Sequence, residues 1–377
     1  MIYIVAESTS KTEPRVMKKL GLYDDHRRAG AHFSPYGEWE LPEHYGDVGR
    51  EYRAVRNRVG LTDLSSQGHF LVTGSDRDSF MQNLISNDML LLSKERGIYT
   101  TLLTAKGKVL SEFHLYPVSD GLFMEVESSN SEKTKENLLR FKLRSQVKIE
   151  ALSWGRLMVS GPRARPLLET FFGETLPFME ERSFFERAWE GHSLLCIKRS
   201  VTGEEDYHLY LPEEGCALLW KKLLVVGQDL DALPIGQTAL EILRIEAGLP
   251  RYGDEIDEDI LPIEAGLQED AISYTKGCYP GQEVVARIKT YGHVNKNLYG
   301  LVLEGSELPE RKGQIFIGDK KVGWITSVTR SPLMGKIIAL CYLRQKFAVP
   351  GTDLEVEVGS ARTAAQAAPL PFKGSSA

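Results

Sequence analysis

The stretch Lys276-Gly277-Cys278-Tyr279-Pro280-Gly281-Gln282-Glu283, continuing Val284-Val285-Ala286-Arg287, puts a thiol where it could be reactive. Pro280-Gly281 is a turn signal, and a helix can follow from Gln282 to Ile288. Cys278 then stands just ahead of a helix N-terminus and two residues after a lysine. Both neighbours favour thiolate over thiol. Read for chemistry, Cys278 is an accessible, activated thiol, Lys276 a candidate to stabilise its thiolate, and Gln282 and Glu283 candidates to organise the helix start. Read plainly, Cys278 is a small residue packed in a turn. A second candidate is Glu112, in Gly107-Lys108-Val109-Leu110-Ser111-Glu112-Phe113-His114-Leu115, an expected strand. Its parity places it with Leu110 and His114. A carboxylate that shares a half-buried face with leucine can have a raised pKa and serve as a general acid or base. The alternative is that this face is the wet one. His208 alternates with apolar neighbours in Tyr207-His208-Leu209-Tyr210, as a structural or a functional strand histidine would.

Other chemistries lack their residues. Cys196 and Cys341 lie in apolar runs and Cys216 lies beside Ala217 and Leu218, so all three read as core. With no C-x-x-C and no H-E-x-x-H, neither a zinc site nor a disulfide framework is indicated, and a reducing cytoplasm fits. There is no P-loop, no G-x-G-x-x-G and no G-x-S-x-G, so nucleotide-cofactor and serine-hydrolase readings have no support. The 377 residues carry 46 Lys and Arg against 52 Asp and Glu, a net charge of −6. A pI near 5.9 argues against a dedicated duplex binder, which needs a basic footprint. No apolar run approaches the roughly 18–20 residues of a membrane span.

The elements that must position these residues read as follows. Residues 1–20 form a loose arm and 21–40 an extended segment. A helix over about 42–59 is marked by Tyr45, Val48, Tyr52, Val55 and Val59 at steps of three and four. Strands and two helices over 61–150 suggest an α+β unit, and a second such unit follows over 151–248. The run 254–259 (Asp254, Glu255, Asp257, Glu258, Asp259) reads as a solvated loop. Beyond Asn297, short β-rich runs separated by Gly and Pro indicate a small barrel or sandwich over 297–358. Residues 361–377, mostly Ala, Pro, Gly and Ser, read as a disordered tail.

Lys276-Gly277-Cys278-Tyr279-x-Gly281-Gln282-Glu283 resembles the K-G-C-[FY]-x-G-Q-E motif of the YgfZ-type folate-binding proteins, linked to iron–sulfur cluster assembly and repair. Gly60-Leu61-Thr62-Asp63-Leu64-Ser65, Thr202-Gly203-Glu204 and Leu243-Arg244-Ile245-Glu246-Ala247-Gly248-Leu249-Pro250-Arg251-Tyr252-Gly253 resemble the T-protein of the glycine cleavage system, an aminomethyltransferase. The resemblance covers about residues 20–358. It implies a GcvT-like three-domain cloverleaf. Two interwoven ferredoxin-like α+β domains, together spanning 21–290, and a C-terminal β-barrel surround a channel for tetrahydrofolate. The implied folate contacts are Tyr99, Glu204, His208 and Arg244, with Cys278 and Glu112 as catalytic candidates and no metal.

Departures from the T-protein pattern sit at its working positions. Ser111-Glu112 stands where the T-protein has an Asp-Asp pair, which moves the carboxylate by one methylene. His208 falls on the pterin-binding glutamate, Val201 on a tyrosine, and Leu240 on an arginine that holds the folate. These departures, with the intact cysteine motif, favour the YgfZ-type reading, whose partners are a reduced folate and iron–sulfur client or assembly proteins. The rival is a tetrahydrofolate-dependent aminomethyl or methyl transferase. A third reading is a scaffold that binds only protein partners.

Overall fold

A computed structural model describes residues 16–292 and 294–372. The first α+β unit is a five-stranded sheet in the order Ile98–Leu103, Val109–Val118, Gly121–Val126, Gly68–Thr73, Lys148–Ala151. Along Val109–Val118 the side chains alternate. Ser111, Phe113 and Leu115 are buried under the helices Arg77–Leu84 and Ser131–Arg140, where Phe70, Phe80, Met81 and Leu138 complete the core. Leu110, Glu112 and His114 occupy the opposite face, half-buried. The period-two pattern therefore orients Glu112.

The second unit is a six-stranded sheet in the order Phe184–Trp189, His192–Lys198, Asp206–Pro212, Trp154–Ser160, Gly60–Asp63, Leu233–Pro234. The helices Ala164–Phe172 and Glu213–Val226 pack on one side of it, with Leu167 and Trp220 set against Leu157 and Leu209. Gly60–Asp63 precedes the whole first unit in sequence, yet it pairs antiparallel with Trp154–Ser160 in the second sheet. The two units are thus interwoven. Tyr116 and Phe123 of the first sheet pack with Phe184, Leu195, Ile197 and Tyr210 of the second, which brings the two sheets together beside Glu112 and His114.

The C-terminal module is a closed barrel of six strands, Lys296–Leu303, Lys336–Arg344, Lys320–Ser331, Gln314–Ile317, Asp353–Val358 and Ala361–Ala368. The last strand corrects the expected tail at 361–377. Ala361–Ala368 pairs on both sides, with Asp353–Val358 and with Lys296–Leu303, and so closes the barrel. Its inward residues Ala365 and Ala367 are small, so the run shows little apolar contrast in the sequence. Phe372 is also buried, beside Ile245, Ile338 and Leu340. Residues 373–377 lie outside the described part.

Three other expectations change. The arm expected over 1–20 lies outside the described residues up to 15, but Lys18–Lys19 pairs with Trp39 and Glu40, and Leu20 is buried. The helix expected over 42–59 runs from Val48 to Asn57, because Trp39–His44 pairs with His32–Tyr36 as a hairpin. Asp47 caps the helix, accepting from the Arg50 amide at 3.0 Å. Within 254–259, Glu255 is buried rather than solvated; it accepts from Arg244 at 2.9 Å and from Ser327 at 2.6 Å.

Candidate functional site

A cavity of about 530 Å³ opens where the two sheets, the segment 249–270 and the N-terminal hairpin meet. The hairpin Val109–Val126 contributes three polar side chains to its wall, Glu112, His114 and Glu125, and Glu127 follows directly after it. Tyr99 lies on the neighbouring strand, paired with His114, and the two rings stack at 4.6 Å between centroids. Burial pushes Glu112 up to about 7, against a hydrogen bond from Tyr99 and with Glu127 adding to the rise. At neutral pH such a group is close to half-protonated, which suits an acid–base role. Leu64, Leu240, Leu249 and Leu267 add apolar wall.

Glu125 is held differently. Its Oε1 and Oε2 accept from Arg199 Nη2 at 2.9 and 2.8 Å, its Oε2 from the Tyr210 hydroxyl at 2.7 Å, and Arg156 Nη1 closes on Oε1. Burial works to raise its pKa, but Arg156 and Arg199 outweigh burial and hold it well below the usual carboxylate range. His208 braces this clamp from behind. Its Nδ1 accepts from Arg156 Nε at 3.1 Å, so its Nε2 carries the proton and donates to the Arg199 carbonyl at 2.8 Å. Burial first, then the two guanidiniums, keeps the imidazole neutral.

The residues singled out in the sequence therefore divide. Tyr99, Glu112 and Arg244 line the cavity, as does Leu240. Arg244 is tied to Glu241, Glu255 and Ser327. His208 is fully buried behind Arg156 and is not part of the lining. Glu204 sits away from the lining, accepting from Arg56 at 2.6 Å. Sequence reading did not single out Glu125, Glu127, Arg156, Arg199 or Arg251, all of which line the cavity. The usable signal was Glu125-Val126-Glu127, two acids of one parity ending an apolar run.

The cysteine motif also lies apart from the lining, and its lysine has another task. Lys276 Nζ donates to the carbonyls of Gln82, Ile85 and Asn87 at 2.5, 2.7 and 2.9 Å. It closes the C-terminal end of the helix Arg77–Leu84, where a cation is favoured. The ammonium is thus committed to carbonyls rather than to the Cys278 thiol, and burial lowers it to about 8. Tyr279 is buried with Tyr99, Leu103 and Val109. Gly281 has φ +81°, and a Cβ there would lie 2.6 Å from the Thr104 carbonyl oxygen, so the turn requires glycine. Gln282–Tyr291 is the expected helix, longer by a turn. These anchors leave Cys278 exposed, whereas Cys196, Cys216 and Cys341 are buried. A thiol reagent on the native chain is expected to label one cysteine, Cys278, and to reach the other three only after denaturation. Mass mapping showing native labelling at another position, or none, contradicts this.

The family described as the GCVT N-terminal domain matches residues 22–275, and the glycine cleavage T-protein C-terminal barrel domain matches 296–373. The chain belongs to the glycine cleavage T-protein family. Among similar curated members of that family, the aminomethyltransferase of Caldanaerobacter subterraneus subsp. tengcongensis is 31% identical over 344 residues, 90% of this chain and 91% of that protein. The aminomethyltransferase of Shouchella clausii is 31% identical over 354 residues, 93% and 96% of the two chains. The crystal structure of glycine cleavage system aminomethyltransferase T from Bartonella henselae shares the fold, with TM-score 0.87 at 24% identity over 94% of this chain and 98% of that one. The T-protein family fold thus accounts for both interwoven units and the closed barrel. Among the described residues, no helix is long and apolar enough to cross a membrane, and no group of three or more His, Cys, Asp or Glu could hold a metal ion.

Proposed function

We propose that the chain is a tetrahydrofolate-dependent one-carbon transferase of the aminomethyltransferase type, with Glu112 as its acid–base group. The family uses tetrahydrofolate. The cavity suits such a ligand in size and in lining. Its volume falls in the range of roughly 300–1,000 Å³ typical of small-molecule sites. A pterin edge offers N–H donors, and Glu112 and Glu127 offer acceptors that no ion pair occupies among the described residues. Tyr99, Leu240 and Leu267 supply flat or apolar wall, and the guanidiniums of Arg182 and Arg251, each already paired with an acid, also border the cavity. When bound, the folate supplies the nitrogen that accepts the one-carbon unit. Forming that bond requires the nitrogen to lose a proton and the departing amine to gain one. Glu112 is the lining carboxyl poised near neutrality to carry it, and this observation supports the reading most.

A second reading has a feature of its own. Cys278 is exposed in the motif shared with YgfZ-type folate-binding proteins and lies outside the cavity lining. Support of iron–sulfur client or assembly proteins through that thiol is the function this feature favours. One experiment separates the two. Calorimetry should show tetrahydrofolate binding, and a lipoyl-carrier aminomethyl donor should give turnover that is lost in Glu112→Gln and kept in Cys278→Ala. Folate binding without turnover, together with loss of an iron–sulfur enzyme's activity in Cys278→Ala cells, selects the second reading. Absence of folate binding rejects both.

A further inference from the structure

The hairpin Val109–Val126, with Glu127 directly after it, sets its cavity-facing polar residues in two rows. His114 pairs with Glu125, and Phe113 with Val126. The paired ladder ends at Phe113–Val126, and the next residue on each side, Glu112 and Glu127, follows on the same face as His114 and Glu125; all four polar side chains line the cavity, and Glu127 acts electrostatically on Glu112. Directly opposed residues on one face have Cβ atoms about 5 Å apart, where like charges repel. The His114–Glu125 row holds one carboxylate only, and Arg156 and Arg199 are spent on it. No ion pair among the described residues reaches the Glu112–Glu127 row. Glu112 has the Tyr99 hydroxyl, and Glu127 has the Gln67 amide at 3.2 and 3.3 Å.

The other charged groups facing the row are engaged elsewhere. Arg251 bonds Asp254 at 2.7 Å and pairs with Glu241 at 3.0 Å. Arg199 and Arg156 act on Glu112 and Glu127 respectively only through space, and Glu125 opposes them. Tyr36 and Tyr252 border the row, and burial keeps both phenols protonated. Burial also raises Glu127, with the acid Glu125 reinforcing it and Arg251 opposing. Two half-buried carboxyls placed side by side, with no guanidinium in direct ion-pair contact, resist ionising together.

We propose that Glu127 is a positioning residue for the Glu112 proton: the two neighbouring carboxyls hold one negative charge between them near neutral pH, so that Glu112 can meet its substrate as a carboxylic acid. This rests on Glu112 being the acid–base group proposed above, and it adds the partner that keeps it so. The charge on Glu127 is the active feature, since its remaining neighbour in the contact is a neutral amide.

The test is an infrared pH titration of the full chain, following the carboxylic-acid carbonyl band, with Glu112→Gln used to assign it. The band in the unaltered chain is expected to titrate near pH 7. In Glu127→Gln its midpoint should fall by about one pH unit. In Glu127→Asp, which keeps the charge, it should stay near the original. The acid–base limb of kcat/KM should follow the same order. A native circular dichroism spectrum with an unmoved midpoint in Glu127→Gln overturns the proposal. If that variant does not fold, carbon-13 spectra of glutamate-labelled unaltered chain decide. Two separated titration steps support the pair, and one common step for both residues overturns it. A moving midpoint in a chain without transferase turnover keeps the pair and rejects the transferase reading. Turnover with a fixed midpoint does the reverse.

Discussion

Glu112→Gln is expected to lower turnover by about 10²–10⁴-fold while making the fold more stable above neutral pH. The amide keeps the shape of the side chain and can still hydrogen-bond Tyr99, but it carries no exchangeable acid proton. The stability gain follows from linkage. Glu112 has its pKa raised from 4.5 to about 7, chiefly by burial. Between those values the folded chain binds more protons than the unfolded one, so stability falls as pH rises through that window. Above it the full deficit, about 3 kcal/mol, is present. The deficit vanishes below the unfolded value. Thermal unfolding at pH 5 and pH 8 should therefore show a small difference between the two chains at the lower pH and a clearly more stable variant at the higher. A variant that loses stability at pH 8, or that retains turnover, contradicts the assignment.

Glu125→Gln should have the opposite effect on the fold. Arg156 and Arg199 converge on this one buried carboxylate, and Tyr210 completes its shell. Removing its charge leaves two guanidiniums facing each other in a low-dielectric wall, a change expected to cost about 3–5 kcal/mol. Tyr210→Phe, which removes a single hydrogen bond to the same carboxylate, should cost about 1–3 kcal/mol. Denaturant unfolding of both variants measures the contrast. The sign with pH also differs from that of Glu112. Because the Glu125 pKa is depressed, its contribution is fully present above the ordinary carboxylate range and is lost progressively as pH falls from that range to the depressed value. The gap between Glu125→Gln and the unaltered chain should then be level from pH 8 to pH 5. A gap that closes on mild acidification would show that the carboxylate is not clamped.

Local pattern in the sequence was enough to group Glu112 with Leu110 and His114 on one strand face, because parity is a property of the strand itself, but not to decide whether that face is the wet one. It was also enough to find the helix after Gly281 and the β-rich C-terminal module. Partners across strands were beyond its reach. Whether Glu127 stands beside Glu112 depends on the register of the hairpin, and whether His208 faces the ligand or Arg156 depends on which strand lies beside it. Lys276 shows the same limit from another side. Proximity in sequence suggested a thiolate partner, but three carbonyls at a helix end, some 190 residues earlier, hold its ammonium instead. The barrel's last strand was missed because its buried positions are alanines, whose small side chains give no apolar contrast to read.

The position of Gly60–Asp63 has a consequence for how the chain is made. This strand leaves the ribosome before the entire first sheet, but its partner Trp154–Ser160 arrives only after about ninety more residues. This early-made strand must wait unpaired while another sheet condenses around the gap. Fragments that end before Trp154 therefore carry every strand of the first sheet but leave Gly60–Asp63 without its partner.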